Sequence, residues 1–402
     1  MNPIQITTFL GINNRALPQY IPDSFLTSAL NFLIDAQKKP YSRDGVVKKV
    51  AGNITSLCPT NAPRLFAVVD GILCELNKSL DITAMLAEIG SEPLSMLYLD
   101  NKYYYTSQNT DGTGVIDGDN IKSFGLAKNQ SCTVSTTTGT MRAGRYLVGV
   151  TFVDEDGFES GIGTIRLVTL TETVEGTGDK AITVSWITPN NSRIVGAYVY
   201  CSTRNGKVLY RADTNPITTG NTVIYNPNLF SIPLAQELIG MDAAPKGDLI
   251  AYFYDRMLIA SGNELYFSEE VDYEHWDYRN YISFAGTITA ICPVEDGLWI
   301  SADELYFAAG RDINNLVPTS KALFTVFENS EKLIQPQNLT LESYNGLGWA
   351  VTTNDGFYLL LNGGQFVSVS RQIYNFPHFT HCSGAIINDT NNHTYISLLR
   401  GG

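Results

Sequence analysis

Histidine is nearly missing from this chain, with four residues (His275, His378, His381 and His393) among 402. So few supply a His-based catalytic triad poorly, and no G-x-S-x-G, H-E-x-x-H or phosphate-loop sequence is present. Cysteine is scarce too. The six at 58, 74, 132, 201, 292 and 382 form no C-x-x-C pair, and none alternates with histidine at zinc spacing. They read as buried thiols rather than a secreted disulfide framework. No apolar run approaches the ~18 residues a membrane helix needs. The opening MNPIQITTFLG lacks a basic stretch followed by an apolar one, so no secretory leader is expected, and synthesis in a reducing cytoplasm is. Positive charge is also in deficit. Lys plus Arg number 27 against 40 Asp plus Glu, a net charge of −13, and such a chain as a whole repels nucleic-acid backbone.

Helical periodicity is sparse. The spacing predicts helix at PDSFLTSALNFLIDA (22–36), with Asp23-Ser24 at its start, and at ITAMLAEIG (82–90). In the first, Asn31 to Ile34 also reads as the beginning of a strand.

What the chain does have is aromatic residues, 22 Tyr and 18 Phe, set in short apolar bursts between turns. DRMLIASGNELYFSEE (255–270) and DGLWISADELYFAAGRD (296–312) repeat one hairpin, complete with Glu-Leu-Tyr-Phe. RLFAVVDGILCEL (64–76), SMLYLDNKYYYTS (95–107) and GWAVTTNDGFYLLLNGGQFVSV (348–369) follow the same plan, with a weak last copy in AIINDTNNHTYISLL. Turn tips are expected at Asp70-Gly71, Asp100-Asn101, Asp255-Arg256, Asp296-Gly297 and Asp355-Gly356, because Asp-Gly and Asn-Gly favour the two-residue type I′ turn. Irregular units of several short strands, each with an apolar face, are what the blades of a β-propeller need. About five such units are visible, six if the N-terminal strands form another.

Between about 130 and 243 the composition shifts to Thr, Val and Gly. Alternation is clean at Tyr146, Val148, Val150 and Phe152, and again at Ile182, Val184 and Trp186, and a hairpin is expected across Asn205-Gly206. About seven strands in this span fit a fibronectin-III-like or immunoglobulin-like sandwich. The expected organisation is therefore all-β: an N-terminal arm with first strands (1–50), a first propeller part (51–129), an inserted sandwich (130–243) and a second propeller part (244–402).

Several clusters invite chemistry. VDEDGFES (153–160) places Asp154, Asp156 and Glu159 around Gly157 like a calcium loop, but the EF-hand spacing is absent and a hairpin turn is the simpler reading. DGTGVIDGDN (111–120) reads as an exposed acidic loop. In FPHFTHC, His378 and His381 fall on opposite faces of a strand, which is poor for one metal. SEEVDYEHWDYRNY (268–281) gathers Glu269, Glu270, Asp272 and Glu274 before His275-Trp276. Paired carboxylates beside aromatics are what a glycosidase uses, but a solvated loop connecting two blades, packing Trp276, Tyr278 and Tyr281, is the simpler reading. The basic run Lys38, Lys39, Arg43, Lys48 and Lys49, opposed by Asp44, reads as a solvated face, or as a contact with DNA or an acidic partner.

Taken together, several stretches resemble a family of tailed-bacteriophage virion proteins of the podovirus tail hub, nozzle or packaged-DNA stabilisation type. FLGINNRALPQYIPDSFLTSALNFLIDAQKKPYSRDGVVKKVAG is similar to the family's opening through Gly11, Asn13, Asn14, Ala29, Asn31, Lys49 and Gly52. MLYLDNKYYYTSQNTDGTGVIDGDNIKSFGLA resembles its strand pair before the sandwich. AGRYLVGVTFVDEDGFESG is similar to its first sandwich strand and D-G-x-E-S turn, through Tyr146, Asp156, Gly157, Glu159 and Ser160. GNELYFSEEVDYEHWD and TAICPVEDGLWISADELYFAAGRD resemble its two following blades. The short C-terminus and uneven blade spacing depart from the family. The resemblance implies a non-enzymatic virion component, a ring (a hexamer) below the portal that extends or closes the DNA exit channel and helps retain and eject the genome. Portal, adaptor and other tail proteins are the implied partners, a neck or collar position remaining open. Double-stranded DNA would pass without sequence-specific binding, since acidic walls give phosphates little to hold. No cofactor, metal or membrane span is implied. The competing expectation is a propeller that binds or cleaves surface glycans.

Overall fold

The computed structural model describes residues 11–22, 24–27, 32–34, 40–42, 52–58, 62–109, 112–226, 232–335, 344, 346–369, 379–389 and 392–400. Among the described residues, five of the six four-stranded antiparallel sheets are simple meanders in chain order, the sixth belonging to an inserted sandwich. Blade 1 is Ile54–Leu57, Leu65–Val69, Ile72–Leu76 and Ile82–Glu88. Blade 2 is Ser95–Leu99, Lys102–Thr106, Thr113–Asp117 and Asn120–Lys122. Blade 3 is Leu249–Phe253, Arg256–Ser261, Glu264–Phe267 and Tyr281–Ser283. Blade 4 is Ala290–Val294, Gly297–Ser301, Leu305–Ala309 and Pro318–Ala322. Blade 5 is Lys332–Ile334, Gly348–Thr353, Gly356–Leu360 and Phe366–Ser368. A two-stranded hairpin, His381–Asp389 with Asn392–Arg400, packs on blade 5. A shorter N-terminal pair joins Phe32–Ile34 to Pro40–Ser42.

The blades stack in chain order as a β-propeller, and the repeated Leu-Tyr-Phe shows why. In a strand, side chains alternate between faces. Leu265 and Phe267 of blade 3 enter the core shared with blade 4, while Tyr266 turns back to the core shared with blade 2. Leu305 and Phe307 of blade 4 do the same toward blade 5, and Tyr306 turns back to blade 3. Lys102–Thr106 divides likewise: Tyr103 and Tyr105 face blade 1 and Tyr104 faces blade 3. Burying each such side chain contributes about 1.5–3 kcal/mol, so a blade gains stability only with a neighbour on each face. Polar ties complete the seam between blades 4 and 5. The Trp299 indole N–H donates to the Leu361 carbonyl at 2.8 Å, and that of Trp349 to the Pro293 carbonyl at 2.7 Å.

The sandwich interrupts the chain between blades 2 and 3. It has seven strands in two sheets, Thr133–Met141, Lys180–Ser185 and Asn221–Ile224 facing Arg166–Leu170, Gly144–Val153, Gly196–Ser202 and Leu209–Arg211. Its core holds the residues marked by alternation: Tyr146, Val148, Val150, Phe152, Ile182, Val184 and Trp186 are all buried. The interruption does not part the propeller. Blades 2 and 3 share a core of Tyr104, Val115, Ile250 and Ile259, and the Thr106 hydroxyl bonds both the N–H and the carbonyl of Gly247.

Several expectations are corrected. Residues 82–88 form the edge strand of blade 1, not a helix. Pairing along Ile72–Leu76 satisfies this backbone and seats Leu86 and Ala87 on the core, which outweighs the helix propensity of Ala, Leu and Glu. Within 22–36 the described residues hold strands Phe25–Leu26 and Phe32–Ile34 rather than helix. Turn tips at Asp70-Gly71 and Asp100-Asn101 carry positive φ at both positions, as a type I′ turn requires. In blade 3 the tip is Tyr254-Asp255 (φ 39° and 60°), one residue earlier than expected. In blades 4 and 5 Gly297 and Gly356 are the first residues of the next strand, and the tips are Glu295-Asp296 and Asn354-Asp355.

All six cysteines are free thiols, five of them buried. Burial pushes Cys58 and Cys201 up to about 12, so neither forms a reactive thiolate at neutral pH.

Trp299 tests the seam. Trp299→Ala is expected to lower the unfolding free energy by about 3–5 kcal/mol. Trp299→Phe, which fills the space but orphans the Leu361 carbonyl, should cost about 1–3 kcal/mol. Denaturant titration of both variants measures this, and equal stability in all three proteins would refute the seam as described.

Candidate functional site

Two acidic motifs that lie far apart in sequence meet where the sandwich sits on the propeller. One is the turn 153–160 of the sandwich. The other is the loop 268–280, between the third and fourth strands of blade 3. A single guanidinium, Arg193, joins them from the sandwich turn before Gly196–Ser202. Its Nε donates to Asp154 at 2.8 Å, and one terminal nitrogen donates to Glu274 and, at 3.1 Å, to the Ser123 carbonyl. Asp154 is held in turn from its own side. Its other oxygen accepts the N–H groups of Asp156 (3.0 Å) and Phe158 (2.8 Å), an Asx turn that fixes the loop.

Beside this pair, the His275 ring stacks on Phe158 with centroids 4.5 Å apart, and the Arg193 guanidinium lies over the same Phe158 ring at 4.8 Å. His275 Nδ1 is 2.6 Å from Asp272 and Nε2 is 2.8 Å from the Glu159 carbonyl oxygen. Burial works to lower the His275 pKa, but the Asp272 hydrogen bond and charge outweigh it and hold the imidazole above its ordinary value. For Asp272 burial works upward, and the bond to His275 brings the carboxyl below the usual range. The Glu159 carboxylate points away into the sandwich, where it accepts from Tyr200 and Thr151, each at 2.6 Å, and from Arg211 at 2.5 Å. For Arg193 burial again opposes the charge, and Glu274 and Asp154 more than offset it.

Glycine sets the closeness of the joint. A Cβ on Gly161 would stand 1.9 Å from the Met241 carbonyl oxygen, and one on Gly163 would stand 1.4 Å from that of Asn129. Between them the Ile162 N–H donates to the Leu238 carbonyl at 2.9 Å. Ser-Gly-Ile-Gly after the turn is thus a backbone tongue that no larger residues could form.

The placement decides several sequence readings. The 153–160 loop is a turn whose Asp154 and Glu159 already have cationic partners. Among the described residues no group of three or more His, Cys, Asp and Glu side chains is set to hold a metal ion. Of the four carboxylates proposed for sugar chemistry, Glu274 pairs with Arg193 and Asp272 with His275, while Glu269 and Glu270 lie 3.9 and 3.8 Å from Arg256. Trp276 is fully buried, its indole on the Tyr273 carbonyl. A shallow cavity of about 320 Å³ at the base of the sandwich is lined by Lys128, Asn129, Gln130, Ser131, Phe152, Ile187 and Pro189, with no carboxylate. The stretch 111–120, expected as an exposed acidic loop, instead holds the third strand of blade 2 and the turn into the fourth; Asp117 pairs with Lys102 at 3.4 Å and Asp119 with Arg64 at 3.5 Å, and Asp111 lies outside the described residues. His381 bonds the Thr380 hydroxyl at 2.9 Å, and His378 lies outside the described residues. The basic residues Lys38, Lys39, Arg43, Lys48 and Lys49 also lie outside them. Sequence reading missed Arg193 and Arg211; nothing in the residues around either one points to its carboxylate partner, and only the fold reveals what it neutralises.

Removing Arg193 leaves Asp154, whose side chain is 2% exposed, without its counter-ion. Arg193→Ala is expected to cost about 3–5 kcal/mol and to speed amide exchange in 154–160 and 269–277 before the blade seams open. Exchange measured by mass spectrometry on the full chain checks both parts, and unchanged exchange at the joint would refute the role given to Arg193.

No protein-family model matches the chain, and no curated protein matches it. Among solved structures it is similar to BamB from Moraxella catarrhalis, with 10% identity and a TM-score of 0.25 over 78% of this chain and 84% of that one. It is likewise similar to Sqt1 from Saccharomyces cerevisiae, with 11% identity and a TM-score of 0.22 over 78% of this chain and 97% of that one. Likeness this loose transfers no function.

Proposed function

We propose that the chain is a structural component of a phage tail or neck, assembling as a ring below the portal around the DNA exit channel. The observation that carries this reading is where the resembling stretches lie. AGRYLVGVTFVDEDGFESG and GNELYFSEEVDYEHWD, two of those that resemble the tail hub and nozzle family, form the two halves of the joint between sandwich and propeller. A motif that serves to fix architecture is what a structural family would share. The chemistry there agrees. Of the four carboxylates of 269–274, Glu274 pairs with Arg193 of the sandwich, and Glu269, Glu270 and Asp272 lie within 4 Å of Arg256 or His275 of blade 3 itself, an arrangement suited to fixing a loop and its joint rather than to exchanging protons with a substrate.

The net charge of −13 suits a channel that DNA passes through. Repeated around a ring it gives an acidic wall with few cations to arrest phosphates. A sandwich inserted between blades 2 and 3 and separate from the blade sheets offers a surface for the head-to-tail contacts that close rings.

The deciding measurement is native mass, first of the purified chain and then of the chain with phage portal complexes. A ring-sized species, alone or only with the portal, is expected. A monomer that ignores portals would overturn the proposal and turn attention to surface glycans as ligands of the 269–276 loop.

A further inference from the structure

We propose that His275 is a proton-operated latch between the sandwich and the propeller: doubly protonated, it ties Asp272 of the blade 3 loop to the Glu159 carbonyl of the sandwich, and losing a proton releases one of the two. The inference stands on geometry and does not depend on the assembly proposed above.

Both ring nitrogens face oxygens that accept. Nδ1 meets the Asp272 carboxylate at 2.6 Å and Nε2 meets the Glu159 backbone carbonyl at 2.8 Å. A carbonyl has no proton to give, and neither has an ionised carboxylate. A neutral imidazole carries one N–H, so one nitrogen would then present a lone pair to an oxygen at hydrogen-bond distance. Only the imidazolium satisfies both contacts. The ring's stack on Phe158 adds a cation–π contribution to the same state.

The surrounding charges favour the extra proton. From its own loop His275 faces Asp272 and Glu274. From the sandwich comes Asp154, which shares Arg193 with Glu274, while the Glu159 carboxyl and its partner Arg211 point away from the ring. Three carboxylates against one guanidinium leave room for a second cation. The Asp272 side chain is 47% exposed, which opens a route for proton exchange with solvent.

The sign follows from the two partners. His275 is held above its ordinary value, so its contribution is complete below about 6.5 and is lost as pH rises through the raised value. Asp272 is held below its ordinary value, so its contribution is present above about 3.9 and is lost as pH falls through the lowered value. The joint is therefore tightest between the carboxylate and histidine ranges and loosens as pH rises through the raised histidine value.

The test uses the full chain labelled with ¹⁵N-histidine. With four histidines in all, the spectrum lost in His275→Gln assigns the ring. Imidazole nitrogen shifts report its protonation from pH 5 to 9. In parallel, amide exchange of 155–164 is followed and corrected for intrinsic rates. A doubly protonated ring at pH 6.5 is expected. Exchange at the tongue should rise roughly tenfold, the weight of one charge-assisted hydrogen bond, with the midpoint of the ring's titration. Asp272→Asn removes the charge and should shift both midpoints to lower pH together, which keeps the test decisive if His275→Gln fails to fold. A neutral ring at pH 6, exchange indifferent to the titration, or an unshifted midpoint in Asp272→Asn would each overturn the latch.

Discussion

A four-stranded sheet with apolar side chains on both faces cannot stand in water alone. Everything in the propeller follows from that constraint. Phe66 and Val68 of blade 1 meet Tyr103 and Tyr105 of blade 2. Tyr104, one residue along, leaves by the other face to meet blade 3. The same strand thus serves two cores, and removing a blade would expose two seams rather than one. Repeated Leu-Tyr-Phe is the simplest sequence that meets this demand, a large residue for each face in turn. The constraint also explains why an insertion of more than a hundred residues is tolerated between Asn120–Lys122 and Leu249–Phe253. The blades on either side of the break still need each other, and their contact closes the gap whatever hangs from it.

The joint is held by a different kind of contact. Charged groups taken out of water lose hydration that a packed apolar surface would not. The pairing of Arg193 with Asp154 and Glu274 returns part of that loss without guaranteeing a net gain. What such pairs do supply is direction. A guanidinium with fixed donors accepts a narrow range of orientations, and here it meets a carboxylate from each domain and the Ser123 carbonyl at once. The glycine tongue adds a steric limit, since Gly161 and Gly163 admit backbone where any side chain would collide. Apolar surfaces slide, whereas this arrangement defines one angle between sandwich and propeller.

Legibility in the sequence tracks the distance over which each feature is decided. Tyr146, Val148, Val150 and Phe152 alternate within one strand, and they announced the sandwich core correctly. Asp70-Gly71 and Asp100-Asn101 carry their turn conformation locally and were equally readable. Asp296-Gly297 and Asp355-Gly356 were not, because cross-strand pairing recruited each glycine as the first residue of the next strand. Ile82–Glu88 has good helix formers and no local hint of the strand beside it, so its conformation came from the partner. The joint was the least legible part. Arg193 and Glu274 are 81 residues apart, and His275 and Glu159 are 116 apart. The sequence showed two acidic clusters, correctly legible as a turn and a loop with a metal or a sugar as the lesser alternatives, but it did not show that the two meet. The counter-ions that account for them were single residues elsewhere in the chain.

The two ends of the insertion return to one place, and this decides how the sandwich is carried. The outgoing chain passes Phe124, which packs edge-on against Trp276 at 5.9 Å, and Gly125, where a Cβ would stand 2.4 Å from the Glu274 carbonyl. The incoming chain pairs Met241–Asp242 with Trp276–Asp277 and bonds Ala244 back to the Phe124 carbonyl at 2.9 Å. Asp272, Glu274 and His275 belong to the same short segment. Exit, return, ion pair and stacked ring therefore converge on residues 272–277. A load on the sandwich is delivered to that segment and, through the fully buried Trp276, to the core between blades 2 and 3. Two covalent strands pinned at one point resist pulling but leave rotation about the point to be opposed by the glycine tongue and the side chains of the joint. Arg193 and His275 tie the 153–160 turn to that segment, which adds the charge state of a few side chains to the steric limit that Gly161 and Gly163 set on the sandwich's angle.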